Sequence, residues 1–157
     1  MRKYSNIQIA LHWAVVLMIA VQWWTAAAIP RTHSPLLPPS AWALFQHKVH
    51  NYSGMTIGVL IALRVALRFA RGSWTGFRLS NWKDHAAALV HWGLYATLAA
   101  QAFTGFVAAY YWGPAAAVHK TTWNVTLALI SIHVAAAAWH GFRRDQVLSR
   151  MLPSKQA

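Results

Sequence analysis

The chain carries nine histidines, no cysteine and only two acidic residues, so a metal bound by this protein must rest on imidazole. The most informative spacing lies in one apolar stretch, where His119 and His133 are fourteen residues apart. At a rise of ~1.5 Å and a turn of ~100° per residue, both rings fall on nearly one helix face, about 21 Å apart along the axis. An ionisable or metal-binding side chain inside an apolar span is costly to bury, which marks these residues as functional candidates. Haem iron takes two axial imidazoles from opposite sides, so two stacked sites need one partner each from facing helices. His12 at the level of His133, and His50 at the level of His119, supply them.

The same fourteen-residue interval separates His50 from Arg64 and His91 from Gly105. Gly54 lies one turn beyond His50, and Gly105 lies near the His119 level. At either position a missing side chain lets a flat macrocycle approach the backbone, or simply lets helices pack. His91 shares the His12 level and is a candidate either to replace His12 as a ligand or to hydrogen-bond a haem propionate. Arg64 faces the side defined by His50 and suits propionate neutralisation, although Arg64 and Arg68 also read as snorkelling residues. His140, one heptad beyond His133, suits a quinone carbonyl or a propionate better than iron. His33, His47 and His85 read as solvated boundary residues.

These side chains need rigid elements to hold them at depth. Hydrophobic residues make up 57% of the 157 and charged residues 10%, a composition of the membrane class rather than of a small soluble domain. Apolar stretches at about 7–29, 44–69, 85–112 and 119–142 are each long enough to cross a bilayer core needing ~20 helical residues. The sequence therefore predicts an all-α, up-down bundle of four membrane helices forming a single domain over residues 1–157. Ala26, Ala27 and Ala28 mimic a signal-peptidase site, but the preceding apolar run exceeds a signal h-region, so the first span is read as uncleaved. Every proline falls outside the spans, as expected where lipid-buried backbone must bond to itself. A proline-rich connection follows the first span, and residues 75–83 read as a polar turn.

The formal charge of +12 does not point to nucleic acid, because the basic residues flank the apolar stretches instead of forming a stripe. Arg2, Lys3, Arg64, Arg68, Arg71, Arg78, Lys83, Arg143, Arg144, Arg150 and Lys155 fall on one side, against Arg31, Lys48 and Lys120 on the other. Positive charge favours the inside, which predicts both termini in the cytoplasm. Trp42, Trp74, Trp82, Trp112, Trp123 and Trp139 lie near span ends, where indole rings prefer the headgroup level. A histidine proton relay is disfavoured, since relays commonly use carboxylates and Asp84 and Asp145 are both outside the spans.

The order Tyr4-Ser5, His12-Trp13, His50 with Gly54 and Arg64, His91 with Tyr95 and Gly105, then His119, His133 and His140 resembles the bacterial cytochrome b561 family. Within it the chain looks like the short enterobacterial type, described as a superoxide oxidase, and the likeness runs through Arg150-Met151-Leu152-Pro153. That resemblance implies an inner-membrane protein holding two haem b groups and acting as a superoxide:ubiquinone oxidoreductase. It further implies that His12 with His133 holds the cytoplasmic haem, His50 with His119 the periplasmic one, and that His140 adjoins ubiquinone. The connection at about 113–118 is shorter than in the enterobacterial type, which bears on the periplasmic substrate entrance. Superoxide is a small anion, so Lys48, Lys120 and Arg31 are the candidates to attract it. The rival reading is an adaptor taking electrons from a periplasmic redox protein, to which short outer loops are suited. Lipid is the partner of the bundle's outer surface in either case.

Overall fold

The computed structural model describes residues 5–70 and 82–144, apart from the Lys83 side chain. The segment 75–81 of the expected polar turn, Trp74, Asp145, and the basic residues Arg2, Lys3, Arg71, Arg78, Arg150 and Lys155 lie outside it, as does Arg150-Met151-Leu152-Pro153. The described chain is helical: α1 (Asn6–Thr25), α2 (Ala28–Thr32), α3 (Ala41–Ala70), α4 (Trp82–Tyr110) and α5 (Ala115–Phe142).

Local chemistry sets the helix starts. Ser5 and Gln8 form a reciprocal capping box at α1: the Ser5 hydroxyl accepts from the Gln8 N–H at 3.3 Å, and the Gln8 side chain accepts from the Ser5 N–H at 3.2 Å. Pro38 and Pro39 resist helix, and α3 begins right after Ser40, whose hydroxyl accepts from the Ala43 N–H at 3.1 Å. Helix α3 thus starts well before His50, which sits more than two turns inside it. The first apolar stretch, expected over about 7–29, is not one continuous helix. Helix α1 stops at Thr25, and Pro30 occupies the first turn of α2, where its missing N–H has no intrahelical acceptor. Pro114 leads α5, placing His119 one turn inside that helix.

The long helices pack as antiparallel neighbours. Gln8 and Gln22 of α1 meet Arg64 and His50 of α3 respectively. Along α3 and α4, Gly58 lies against Ala102 and Phe69 against Trp92. Along α4 and α5, Gly105 faces His119 and His91 faces His133. A small core of Val15, Ile57, Ile61 and Leu98 joins α1, α3 and α4. Leu17, Trp23, Val59, Leu89, Phe103 and Ile132 are exposed instead, as befits side chains whose solvent is hydrocarbon. Among the described residues α1, α3 and α5 are long and apolar enough to cross a membrane. Helix α4 is just as long but carries Asp84, His85, His91 and Gln101, which dilute its apolar character.

Candidate functional site

The backbone of α5 packs closely against α4, whereas α1 and α3 pack against each other and α3 against α4. Toward α1 and α3, α5 stands off, and histidine rings bridge the space. His50 and His119 meet there with ring centroids 6.5 Å apart and planes at 76°. At the other level His12 and His133 stand 6.2 Å apart at 72°. Two imidazoles bound to opposite sides of one metal by bonds of about 2.0 Å have centroids roughly 6.3 Å apart, since each nitrogen lies ~1.1 Å from its ring centre. Both pairs have that separation. His91 is nearer to His133, at 5.2 Å, a spacing too short for rings on opposite sides of a single metal atom.

The hydrogen bonds determine which ring nitrogen is free. The buried Thr25 hydroxyl donates to the Val21 carbonyl at 2.7 Å, so it accepts from His50 Nδ1–H at 3.1 Å. On α4, the Gln101 carbonyl accepts from His119 Nδ1–H at 3.1 Å, with the Thr104 hydroxyl 3.3 Å from the same nitrogen. Each arrangement leaves Nε2 without a proton and holds the ring in place, as ligating imidazoles require. His91 Nδ1–H likewise bonds the Ala87 carbonyl one turn back, at 2.7 Å.

Gln22 braces the His50 turn from α1. Its amide donates to the His50 carbonyl at 2.7 Å and to the Ser53 hydroxyl at 2.6 Å. Gly54 faces that same amide, with room for a Cβ at 3.5 Å, so the structure sets this glycine beside Gln22. Gly105 is closer to the histidines: a Cβ there would lie 3.0 Å from Cε1 of His119 and 3.2 Å from its Nδ1. Gln101 is buried, yet neither its amide nitrogen nor its amide oxygen has a partner. An orphaned amide beside the backing of His119, together with the stand-off of α5, suits a bound group with polar edges between the helices.

Arg64 reaches α1, where its guanidinium donates to the Gln8 carbonyl at 3.1 Å, one turn from His12. Arg31, Lys48 and Lys120 are exposed and stand toward the His50 end of α2, α3 and α5. His140 lies partly buried in the last turn of α5, two turns beyond His133. Gln22, Thr25, Gln101 and Thr104 carry the positioning network without having been singled out from sequence. Their signal was available, since each is a polar side chain within an apolar helix.

No three His, Asp or Glu side chains gather as a metal cage among the described residues. At each level one pair of imidazoles has the separation that suits a metal whose remaining ligands come from a macrocycle. The family model for prokaryotic cytochrome b561 matches residues 3–154. Cytochrome b561 homolog 1 of Escherichia coli (strain K12) is 26% identical, covering 99% of this chain and 100% of that protein. Cytochrome b562 of Cereibacter sphaeroides is 25% identical, covering 95% of this chain and 94% of that protein. The chain is therefore a bacterial membrane protein and belongs to the prokaryotic cytochrome b561 family of haem b-binding electron-transfer proteins.

Proposed function

We propose that the protein binds two haem b groups, one between His50 and His119 and one between His12 and His133, and carries electrons from superoxide to ubiquinone. The observation that supports this most is the pair of imidazole separations, 6.5 and 6.2 Å, at two levels of one helix. Haem held there supplies reversible one-electron chemistry, and the protein supplies position and field. In this reading α4 crosses the inner membrane beside the three apolar helices as a fourth span. Both termini are cytoplasmic, and the His50 level faces the periplasm.

The residues then divide the work. Arg31, Lys48 and Lys120 raise the local concentration of a small anion at the periplasmic end. Thr25 and Gln101 fix the rings of His50 and His119 with Nε2 available. Arg64 and His91 sit at the cytoplasmic level, where propionate charge needs a cation or a donor. His140 offers a hydrogen bond to a quinone carbonyl. Overall, two superoxide anions, one quinone and two protons give two oxygen molecules and one quinol.

A second reading, an adaptor docking a periplasmic redox protein, draws on the short turn between α4 and α5. There Tyr110, Tyr111 and Trp112 are all more than half exposed. Purified protein is expected to hold two haem b per chain and to be reduced rapidly by generated superoxide, with quinol formed when quinone is supplied. Two haems without reduction by superoxide favour the adaptor, and absence of a Soret band removes both readings.

A further inference from the structure

Helices α3 and α4 touch at one end of their seam and part toward the other. They touch where a Cβ on Gly58 would lie 2.9 Å from that of Ala102. From there an apolar groove of about 370 Å³ runs toward the end of α3, lined by Gly58, Ala62 and Val65 on one wall and by Ala99, Ala96 and Trp92 on the other. Residues three and four apart share a helix face, so each wall is a single stripe. Ala62, Ala96 and Ala99 are exposed, which leaves the groove open to the outside along its length. A cation stands at its wide end. Arg68, one turn past Val65 in the last turn of α3, holds its guanidinium over the Trp92 ring, 5.3 Å from the centroid. Such packing uses the flat face of the guanidinium, whereas its five N–H donors lie in its plane.

We propose that this groove binds one acyl chain of an anionic phospholipid, such as phosphatidylglycerol, whose phosphate is held by Arg68. The inference rests on the reading that α4 crosses the bilayer beside α3. Length, lining and charge all favour this occupant. The ten residues from Gly58 to Arg68 rise ~15 Å, half of a hydrocarbon core of ~30 Å. A chain that ends where Gly58 meets Ala102 therefore puts its headgroup at the level of Arg68. Walls of alanine and glycine make a shallow channel for a linear hydrocarbon, and a phosphodiester supplies the acceptor oxygens that a guanidinium binds. Arg64, one turn earlier, turns instead to the Gln8 carbonyl of α1, so the headgroup depends on Arg68. Asp84 of α4 stands eight residues before Trp92, ~12 Å along the axis. Basic residues outnumber acidic ones fourteen to two in the chain, which favours an anionic over a zwitterionic headgroup.

The test titrates haem-loaded, delipidated protein in detergent with phosphatidylglycerol, and separately with phosphatidylcholine of the same chains, followed by native mass spectrometry. Expected is one phosphatidylglycerol per chain, held at least tenfold more tightly than phosphatidylcholine. Arg68→Gln is expected to abolish that preference. Ala96→Phe fills the groove from its exposed side and is expected to weaken both lipids at least tenfold with the Soret band unchanged. Should it lose that band, Ala62→Leu fills the same groove from α3. Equal retention of the two lipids by the unmodified protein, retention that ignores both substitutions, or a quinone held in place of the phospholipid overturns the proposal. The chain has no cysteine, so Phe103→Cys, at an exposed position of α4, reports on the premise separately. Labelling of that thiol by a water-soluble maleimide in proteoliposomes overturns the premise and the site with it, whereas protection without any retained lipid overturns the site alone.

Discussion

At the residue scale, an imidazole inside an apolar helix is oriented when its second nitrogen is bonded, and for the His50–His119 pair a threonine hydroxyl and a carbonyl supply that bond. Thr25 and the Gln101 carbonyl do this for His50 and His119. The histidines were legible from spacing, because fourteen residues on one helix fixes a face and a depth. Their backing was not, because a lone threonine in an apolar span looks like any other until a partner helix is placed beside it. Gly105 makes the sharpest residue-level test. Gly105→Val forces a branched side chain into the space where even a Cβ would lie 3.0 Å from His119. If two haems are bound as proposed, haem content by pyridine haemochrome assay is expected to fall from two toward one per chain. Full loading with an unchanged spectrum would show that the ring does not depend on this contact.

Among the elements, the seam between α3 and α4 is pinned by small residues. A Cβ on Gly58 would lie 2.9 Å from that of Ala102, too close for either backbone to stay in place. Beyond that point the helices part into an apolar groove of about 370 Å³ that reaches Trp92 and Tyr95. Overpacking a close seam costs about 1–3 kcal/mol. Gly58→Ala is expected to destabilise the protein by that amount in denaturation monitored at the Soret band, and adding Ala102→Gly should restore most of it. An additive double variant would place the strain elsewhere. The apolar stretches foretold the long helices to within a few residues, except at the first turn. There the chain forms the separate helix α2, because a proline is tolerated at a helix start and composition cannot distinguish a stop from a restart.

For the whole molecule, the distribution of charge matters more than its sum. Of the fourteen basic residues, Arg31, Lys48 and Lys120 stand toward the His50 end of their helices. If they steer superoxide, replacing all three by glutamine is expected to slow haem reduction by about tenfold or more at low salt and to flatten its dependence on ionic strength. A stopped-flow series in which the variant retained both the rate and the salt dependence would assign the steering elsewhere. The meeting of His33 with His47, their ring centroids 5.1 Å apart, was hidden from sequence for a reason at this same scale. It depends on how the proline-rich connection folds back, and periodicity says nothing about such a path.

One rod, α5, contributes a ring to each of the two levels, and it leaves the ribosome after the other described helices. Until it has inserted, neither His12 nor His50 has its opposite ring. If haem is held at both levels as proposed, the two groups should be captured together and late, and a nascent chain arrested before residue 115 should emerge colourless.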